Sequence, residues 1–210
     1  MILIAHRGLY NKDIGENTIH AFNNAIKNNY DGIELDIRNT KDNEIVVIHD
    51  SLINRTSDGK GKVKDFTYKE LLKYNFGTKN QKSKIPKLSD VIRDISNKII
   101  FIELKEDINK DKLKNILDSN KSNEYYIFSF NKKHIDKLDN INYKKGLINY
   151  VFNSKIDISK YDFVLILEDL INENIVIELK KINVEPIIYN TLNNIKLKNK
   201  EFLANLKYII

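Results

Sequence analysis

The sequence contains no cysteine. That excludes disulfide bridges and thiolate-bound metal, and it is compatible with a reducing compartment. No apolar run approaches the roughly 20 residues that a membrane-spanning helix needs. Met1-Ile2-Leu3-Ile4-Ala5 is too short for the apolar core of a signal peptide and has no basic flank before it. The chain is therefore expected to begin inside its own fold, to carry no stable membrane anchor and to be cytoplasmic. No Gly-x-Gly-x-x-Gly follows the first apolar run, so nothing marks a dinucleotide site. Nor is there an arginine-rich arm or a nucleic-acid module. The net charge of +6 comes from lysines spread over helix faces and loops among asparagines and isoleucines. That pattern is expected of a solvated surface, with no nucleic-acid partner.

What the chain does contain is a regular alternation. With 210 residues, 41% hydrophobic and 30% charged, it fits one soluble globular domain over 1–210. Short β-branched runs predict strands at Ile2–Ala5, Gly32–Ile37, Ile45–Ile48, Ile99–Leu104, Tyr125–Ser129, Gly146–Tyr150, Phe163–Leu167 and Val184–Tyr189, with one more at Leu206–Ile210. Amphipathic stretches predict helices at Thr18–Asn28, Lys69–Tyr74, Leu88–Ile95, Lys110–Leu117, Lys132–Leu138 and Asn174–Ile182, the first capped by Asn17. This alternation predicts an α/β fold, a small (β/α)8 TIM-type barrel, with an open doubly wound sheet as the alternative. Arg38–Glu44 is too short for a crossover helix and requires a hairpin-like link. Residues from about 51 to 85 read as a short insertion leaving the barrel.

Ionisable residues gather where the predicted strands end, which is where such barrels do their chemistry. His6-Arg7 follows the first strand and His49-Asp50 ends the third. Glu34 and Asp36 alternate along the second, and the period of two puts both on one face, with Ile33, Leu35 and Ile37 on the other. Glu103 and Lys105 repeat the alternation at the end of the fourth. Adjacent buried carboxylates repel each other and are costly to desolvate. Two arrangements relieve that cost: a salt-bridge ring with Arg7, Arg38 or Lys105, or a divalent cation. With two histidines close by, the cation is favoured. Three oxygen ligands suit Mg²⁺, Ca²⁺ or Mn²⁺. His6 and His49 have the type and spacing of a general acid and a general base, and Arg7 and Lys105 would face an anionic group. His20 and His134 lack such neighbours and are expected on helix surfaces.

These residues resemble the glycerophosphodiester phosphodiesterases. The resemblance rests on His6-Arg7-Gly8, Glu16-Asn17-Thr18, Glu34-Leu35-Asp36, Asp42 leading to Val47-Ile48-His49-Asp50, Arg55-Thr56, Gly59 and Gly61, Ile85-Pro86-Lys87-Leu88, Phe101-Ile102-Glu103-Leu104-Lys105 and Ser129-Phe130. It implies a barrel of the phosphatidylinositol-phosphodiesterase type in which Glu34, Asp36 and Glu103 hold a divalent metal. It implies His6 and His49 as the acid–base pair and Arg7 and Lys105 as phosphate contacts. The triplet Glu16-Asn17-Thr18 would support the start of the first helix, with Asn17 or Glu16 within reach of the site. The implied substrate is a small-molecule glycerophosphodiester, cleaved to an alcohol and glycerol 3-phosphate. Ile188-Tyr189-Asn190-Thr191-Leu192-Asn193 is a loose version of a late family motif, with Tyr189 either beside the substrate or packed in the barrel. The family's closing Thr-Asp and Pro are missing after Leu206–Ile210, so a shortened last strand and cap are expected. Lysophospholipids, surface polymers containing glycerophosphate, and a non-catalytic binding role on the same fold are the alternatives.

Overall fold

The computed structural model describes residues 1–139, 141–148, 157–190 and 206–210. Among these, eight parallel strands close into a barrel: β1 (Ile2–Ala5), β2 (Gly32–Asn39), β4 (Ile99–Leu104), β5 (Glu124–Ser129), β6 (Lys144–Ile148), β7 (Phe163–Leu167), β8 (Glu185–Tyr189) and β9 (Lys207–Ile209). Only three residues long, β9 still pairs with both β8 and β1 and so completes the ring. The ninth strand, β3 (Ile45–Val47), is not a barrel stave. It lies antiparallel against the far end of β2, as the short link between them requires.

Around the barrel run α1 (Ile19–Lys27), α3 (Leu88–Asp94), α4 (Lys110–Asp118), α5 (Lys132–Asp136) and α6 (Glu173–Lys181), while α2 (Tyr68–Leu71) belongs to the 51–85 segment. Element ends fall within a few residues of expectation. Asn149 and Tyr150 of the sixth expected strand, and Thr191, Leu192 and Asn193 of the late motif, lie outside the described residues. One local expectation fails. The N-cap of α1 is Thr18, which has extended backbone and accepts a hydrogen bond from the Ala21 amide at 3.2 Å. Asn17 takes a left-handed φ of 54°, which a capping residue does not adopt. Asn29, Asn97 and Asn183 also have positive φ just after α1, α3 and α6, ending these helices where glycine commonly does.

Strand alternation separates two apolar layers. Ile33, Leu35 and Ile37 of β2 join Ile100, Ile102 and Leu104 of β4 in a cluster with Phe22, Ala25, Val91 and Leu113 of the helices. The other faces point inward, where Ile4, Phe101, Tyr126, Phe128, Phe163, Leu165 and Ile187 fill the barrel. Phe101 stacks on Tyr126 with ring centroids 4.4 Å apart. At Gly32 a Cβ would lie 2.1 Å from the Ile99 carbonyl oxygen, so only glycine lets β2 and β4 pair there. A smaller cluster of Val46, Ile48, Ile53, Val63, Leu71, Phe76 and Ile85 gives the 51–85 segment its own core beside β3. Thr78 and Asn80 bond to Asp13, holding that segment against the loop between β1 and α1.

Candidate active site

The inward face of the barrel is apolar until it reaches the C-terminal ends of β2 and β4. There the register sets Asp36 beside Glu103 and Glu34 one step deeper, beside Phe101. All three carboxylates are buried, and one oxygen from each lies within 4.8 Å of the others. The chain turns sharply after β1. Arg7 has a φ of 56°, and its amide donates to Glu34 Oε2 at 2.9 Å. Gly8 follows at φ 76°, where a Cβ would lie 2.7 Å from the backbone of Ala21. The turn brings the Arg7 guanidinium to 3.5 Å from Asp36 Oδ2. Lys105 reaches Glu103 at 2.7 Å and Asp36 at 3.5 Å. Asn17, displaced from its expected capping role, donates to Asp36 Oδ2 at 2.8 Å.

Three acids and two cations do not settle into a closed salt-bridge ring. Glu34 Oε1 and Asp36 Oδ1 are buried without a hydrogen-bond donor among the described residues. Burial, Asp36 and Glu103 push the Glu34 carboxyl well above its usual range. Burial and Asp36 raise Glu103 to about 7, with Lys105 opposing. Burial also acts to raise Asp36, but Lys105, His49, Arg7 and the Asn17 hydrogen bond outweigh it and hold Asp36 below its usual value. Two carboxyls raised by burial and by their acidic neighbours, one with an oxygen that has no hydrogen bond among the described residues, fit a missing positive charge. The donor set is all oxygen and carries formal charge −3 when ionised, which suits a hard divalent cation.

The histidines flank this cluster. His6 lies 3.9 Å from Glu34, and its Nε2 is 3.1 Å from the Tyr189 hydroxyl, the two rings meeting edge to face. Burial, helped by Arg7, pushes His6 down to about 4. His49 follows β3 and is more open. Its Nδ1 is 2.7 Å from Asp50, its carbonyl accepts from Arg38, and burial lowers its pKa against the pull of Asp36 and Asp50. The structure therefore brings together His6, Arg7, Asn17, Glu34, Asp36, His49, Glu103, Lys105 and Tyr189. His20 is exposed on α1, as expected. His134 is not simply a surface residue: Nδ1 lies 3.0 Å from the Ser129 hydroxyl, and the ring is largely covered.

The sequence reading gave no role to two further polar groupings. Arg55 bridges Glu16 and Asp50, although both acids and the arginine stand in the quoted motifs. Buried Asn190 donates to buried Glu168 just past the ends of β8 and β7.

A family model for the glycerophosphoryl diester phosphodiesterase family matches residues 6–153. The chain belongs to that family. The glycerophosphodiester phosphodiesterase of Caldanaerobacter subterraneus is 45% identical over 113 residues, covering 51% of this chain and 46% of that protein. Human glycerophosphodiester phosphodiesterase 1 is 36% identical over 110 residues, 49% of this chain and 33% of that one. The chain thus spans about half the length, or less, of these curated relatives. Among solved structures, the Agrobacterium tumefaciens glycerophosphodiester phosphodiesterase superposes with a TM-score of 0.82 at 22% identity, over 100% of this chain and 95% of that one. An Oleispira antarctica phosphodiesterase in complex with sn-glycerol-3-phosphate gives 0.84 at 21% identity, over 100% and 92%. At these identities the two structures establish a shared barrel fold. No helix among the described residues is long and apolar enough to cross a membrane.

Proposed function

We propose that this chain is a divalent-metal-dependent hydrolase that cleaves glycerophosphodiesters to an alcohol and glycerol 3-phosphate. The observation that carries the proposal is a buried three-acid cluster flanked by two histidines and two cations, in which Glu34 Oε1 has no hydrogen bond and Asp36 Oδ1 meets only the Lys105 ammonium at 3.5 Å. Family membership supports the substrate class, as does the sn-glycerol-3-phosphate described as the product of the Oleispira enzyme. The β9–β1 pairing supports treating residues 1–210 as one barrel domain with the 51–85 segment as its insertion.

In this proposal Glu34, Asp36 and Glu103 hold Mg²⁺, Ca²⁺ or Mn²⁺. When bound, the ion would act as a Lewis acid toward a phosphoryl oxygen. Arg7 and Lys105 contact the other phosphate oxygens and offset the charge that grows on them in the transition state. Arginine does so through a planar fork and lysine as a point charge. One histidine takes the proton from the nucleophile, either a water or the neighbouring glycerol hydroxyl, the latter giving a cyclic phosphodiester that water then opens to glycerol 3-phosphate. The other gives a proton to the departing alkoxide. Tyr189 fixes the His6 ring by edge contact and hydroxyl, and Asn17 fixes Asp36. Both histidines and all three acids stand at the same site, which supports turnover over a binding-only role.

Release of glycerol 3-phosphate from glycerophosphocholine and glycerophosphoethanolamine tests the proposal, read with a coupled dehydrogenase. Mg²⁺, Ca²⁺ or Mn²⁺ should each be supplied in turn, with Glu34→Ala as control. Metal-dependent release that vanishes in the variant is expected. A rate that survives chelation, or persists in Glu34→Ala, would count against the site.

A further inference from the structure

Arg55 lies in the 51–85 segment, away from the metal-ligand cluster, with about half of its side chain exposed. Its guanidinium is nonetheless the most heavily committed one in the neighbourhood. Nη1 and Nη2 donate to Glu16 Oε2 and Oε1 at 2.6 and 2.9 Å, while Nε and Nη2 donate to Asp50 Oδ2 and Oδ1 at 2.7 and 3.1 Å. Each of these carboxylates has a second partner. Glu16 Oε1 also accepts from Arg7 Nη1 at 2.9 Å, and Asp50 Oδ1 also meets His49 Nδ1 at 2.7 Å. One planar cation thus sits at the centre of a chain running Arg7–Glu16–Arg55–Asp50–His49. Two of its members come from the turn after β1, two from the turn after β3 and one from the inserted segment.

We infer that Arg55 is a positioning residue: through Glu16 and Asp50 it fixes the Arg7 guanidinium and the His49 imidazole relative to each other. This rests on the proposed function, which gives those two side chains their roles. The physical argument is one of freedom removed. Asp50 and Glu16 are side chains on separate turns, and unclamped each could rotate away from its partner. Double two-point contact to a rigid fork holds both carboxylates in one plane and leaves their second lone pairs aimed at His49 and Arg7. An Asp50 carboxylate so held accepts from Nδ1–H, which keeps Nε2 of His49 free of that proton for exchange with substrate. Lysine at position 55 keeps the charge and loses the fork, so it should not substitute.

The test compares Arg55→Lys and Arg55→Ala with wild type, using glycerophosphocholine and saturating metal. Both variants should lose about 10- to 100-fold in kcat/KM, a range typical when a residue that orients a site's own ligands is removed. The metal concentration at half-maximal rate should stay unchanged, because Arg55 touches none of Glu34, Asp36 or Glu103. Free guanidinium at millimolar concentration should restore part of the rate to Arg55→Ala, since the emptied position is open to solvent. The ¹⁵N shifts of the His49 ring should move from a single Nδ1–H tautomer in wild type toward a mixture in Arg55→Lys. Melting curves establish that each variant is folded, and the lysine variant serves if the alanine one is not. A folded Arg55→Lys with wild-type kcat/KM would overturn the inference, as would an unchanged His49 tautomer. Inactive wild-type protein would instead sink the underlying function, and the tautomer measurement would still decide the role of Arg55.

Discussion

Glu34→Gln separates the two ways in which three buried carboxylates can be stabilised. Two unit charges no more than 4.8 Å apart repel by about 3.5 kcal/mol or more at an effective dielectric near 20. That repulsion, added to burial, raises the Glu34 carboxyl well above its usual range and favours its neutral form. Glutamine copies the shape and neutrality of a protonated glutamate. Metal-free stability should therefore change by less than about 1 kcal/mol, the size of an ordinary hydrogen-bond adjustment. Were Glu34 instead an ionised partner of Arg7 in a salt-bridge ring, its removal would cost about 3–5 kcal/mol by leaving a buried charge unpaired. Metal should reverse the comparison. At a hundred times its Kd, an ion that binds only the folded state adds about 2.7 kcal/mol. That corresponds to about 5–10 °C in Tm for a chain of this length. Calorimetric melting of both proteins, in chelator and in excess Ca²⁺ or Mg²⁺, reads both quantities. Wild type should rise by that amount and Glu34→Gln by much less, from nearly equal starting points. A variant already about 10 °C less stable in chelator, or one with the full metal-induced rise, would refute the argument.

Three other outcomes follow from the same geometry. Lys105→Ala removes the cation nearest Glu103, and steady-state kinetics should show kcat lower by about 10²–10³-fold, the usual loss for one charge-stabilising donor. Asn17→Ala should lower stability by about 2–4 kcal/mol in urea titrations, combining the lost donor to buried Asp36 with a left-handed φ that alanine resists. Asn17→Gly, which tolerates the φ, should recover only the second part. Asp50 is held well below its usual pKa, chiefly by the Arg55 hydrogen bonds. A lowered carboxylate contributes stability above its unfolded value near 4 and loses it as pH falls toward the folded one. Urea midpoints of wild type and Asp50→Asn, well separated at pH 5, should therefore begin to draw together below pH 4 while still differing at pH 3.

The three-acid cluster was legible because its residues follow the strand period. Glu34 and Asp36 share a face wherever β2 is a strand, and Glu103 and Lys105 repeat the pattern at the end of β4, the next stave in the chain. The barrel was legible for a similar reason, since β-branched runs alternate with amphipathic ones. The hairpin placing β3 outside the ring could be read from the seven residues of Arg38–Glu44, and the strand expected at Ile45–Ile48 is present as β3. What escaped depends on partners distant in sequence. Asn17 looks like a cap by position, yet its side chain is taken by Asp36, 19 residues on, and the cap passes to Thr18. Arg55 meets Glu16 across 39 residues, and no local spacing shows that the two turns face each other. His134 is the exception, a near neighbour of Ser129 five residues back whose contact depends on how α5 folds onto β5. Tyr189 carried no local mark of its partner, since His6 lies 183 residues away.

The most direct measurement follows glycerophosphocholine by ³¹P NMR in ¹⁸O-enriched water, with the metal-loaded protein. Glycerol 3-phosphate carrying one ¹⁸O on phosphorus is expected, together with free choline, and both should cease on addition of chelator. Phosphocholine and glycerol as products, or no turnover by folded and metal-loaded protein, would contradict the proposed reaction.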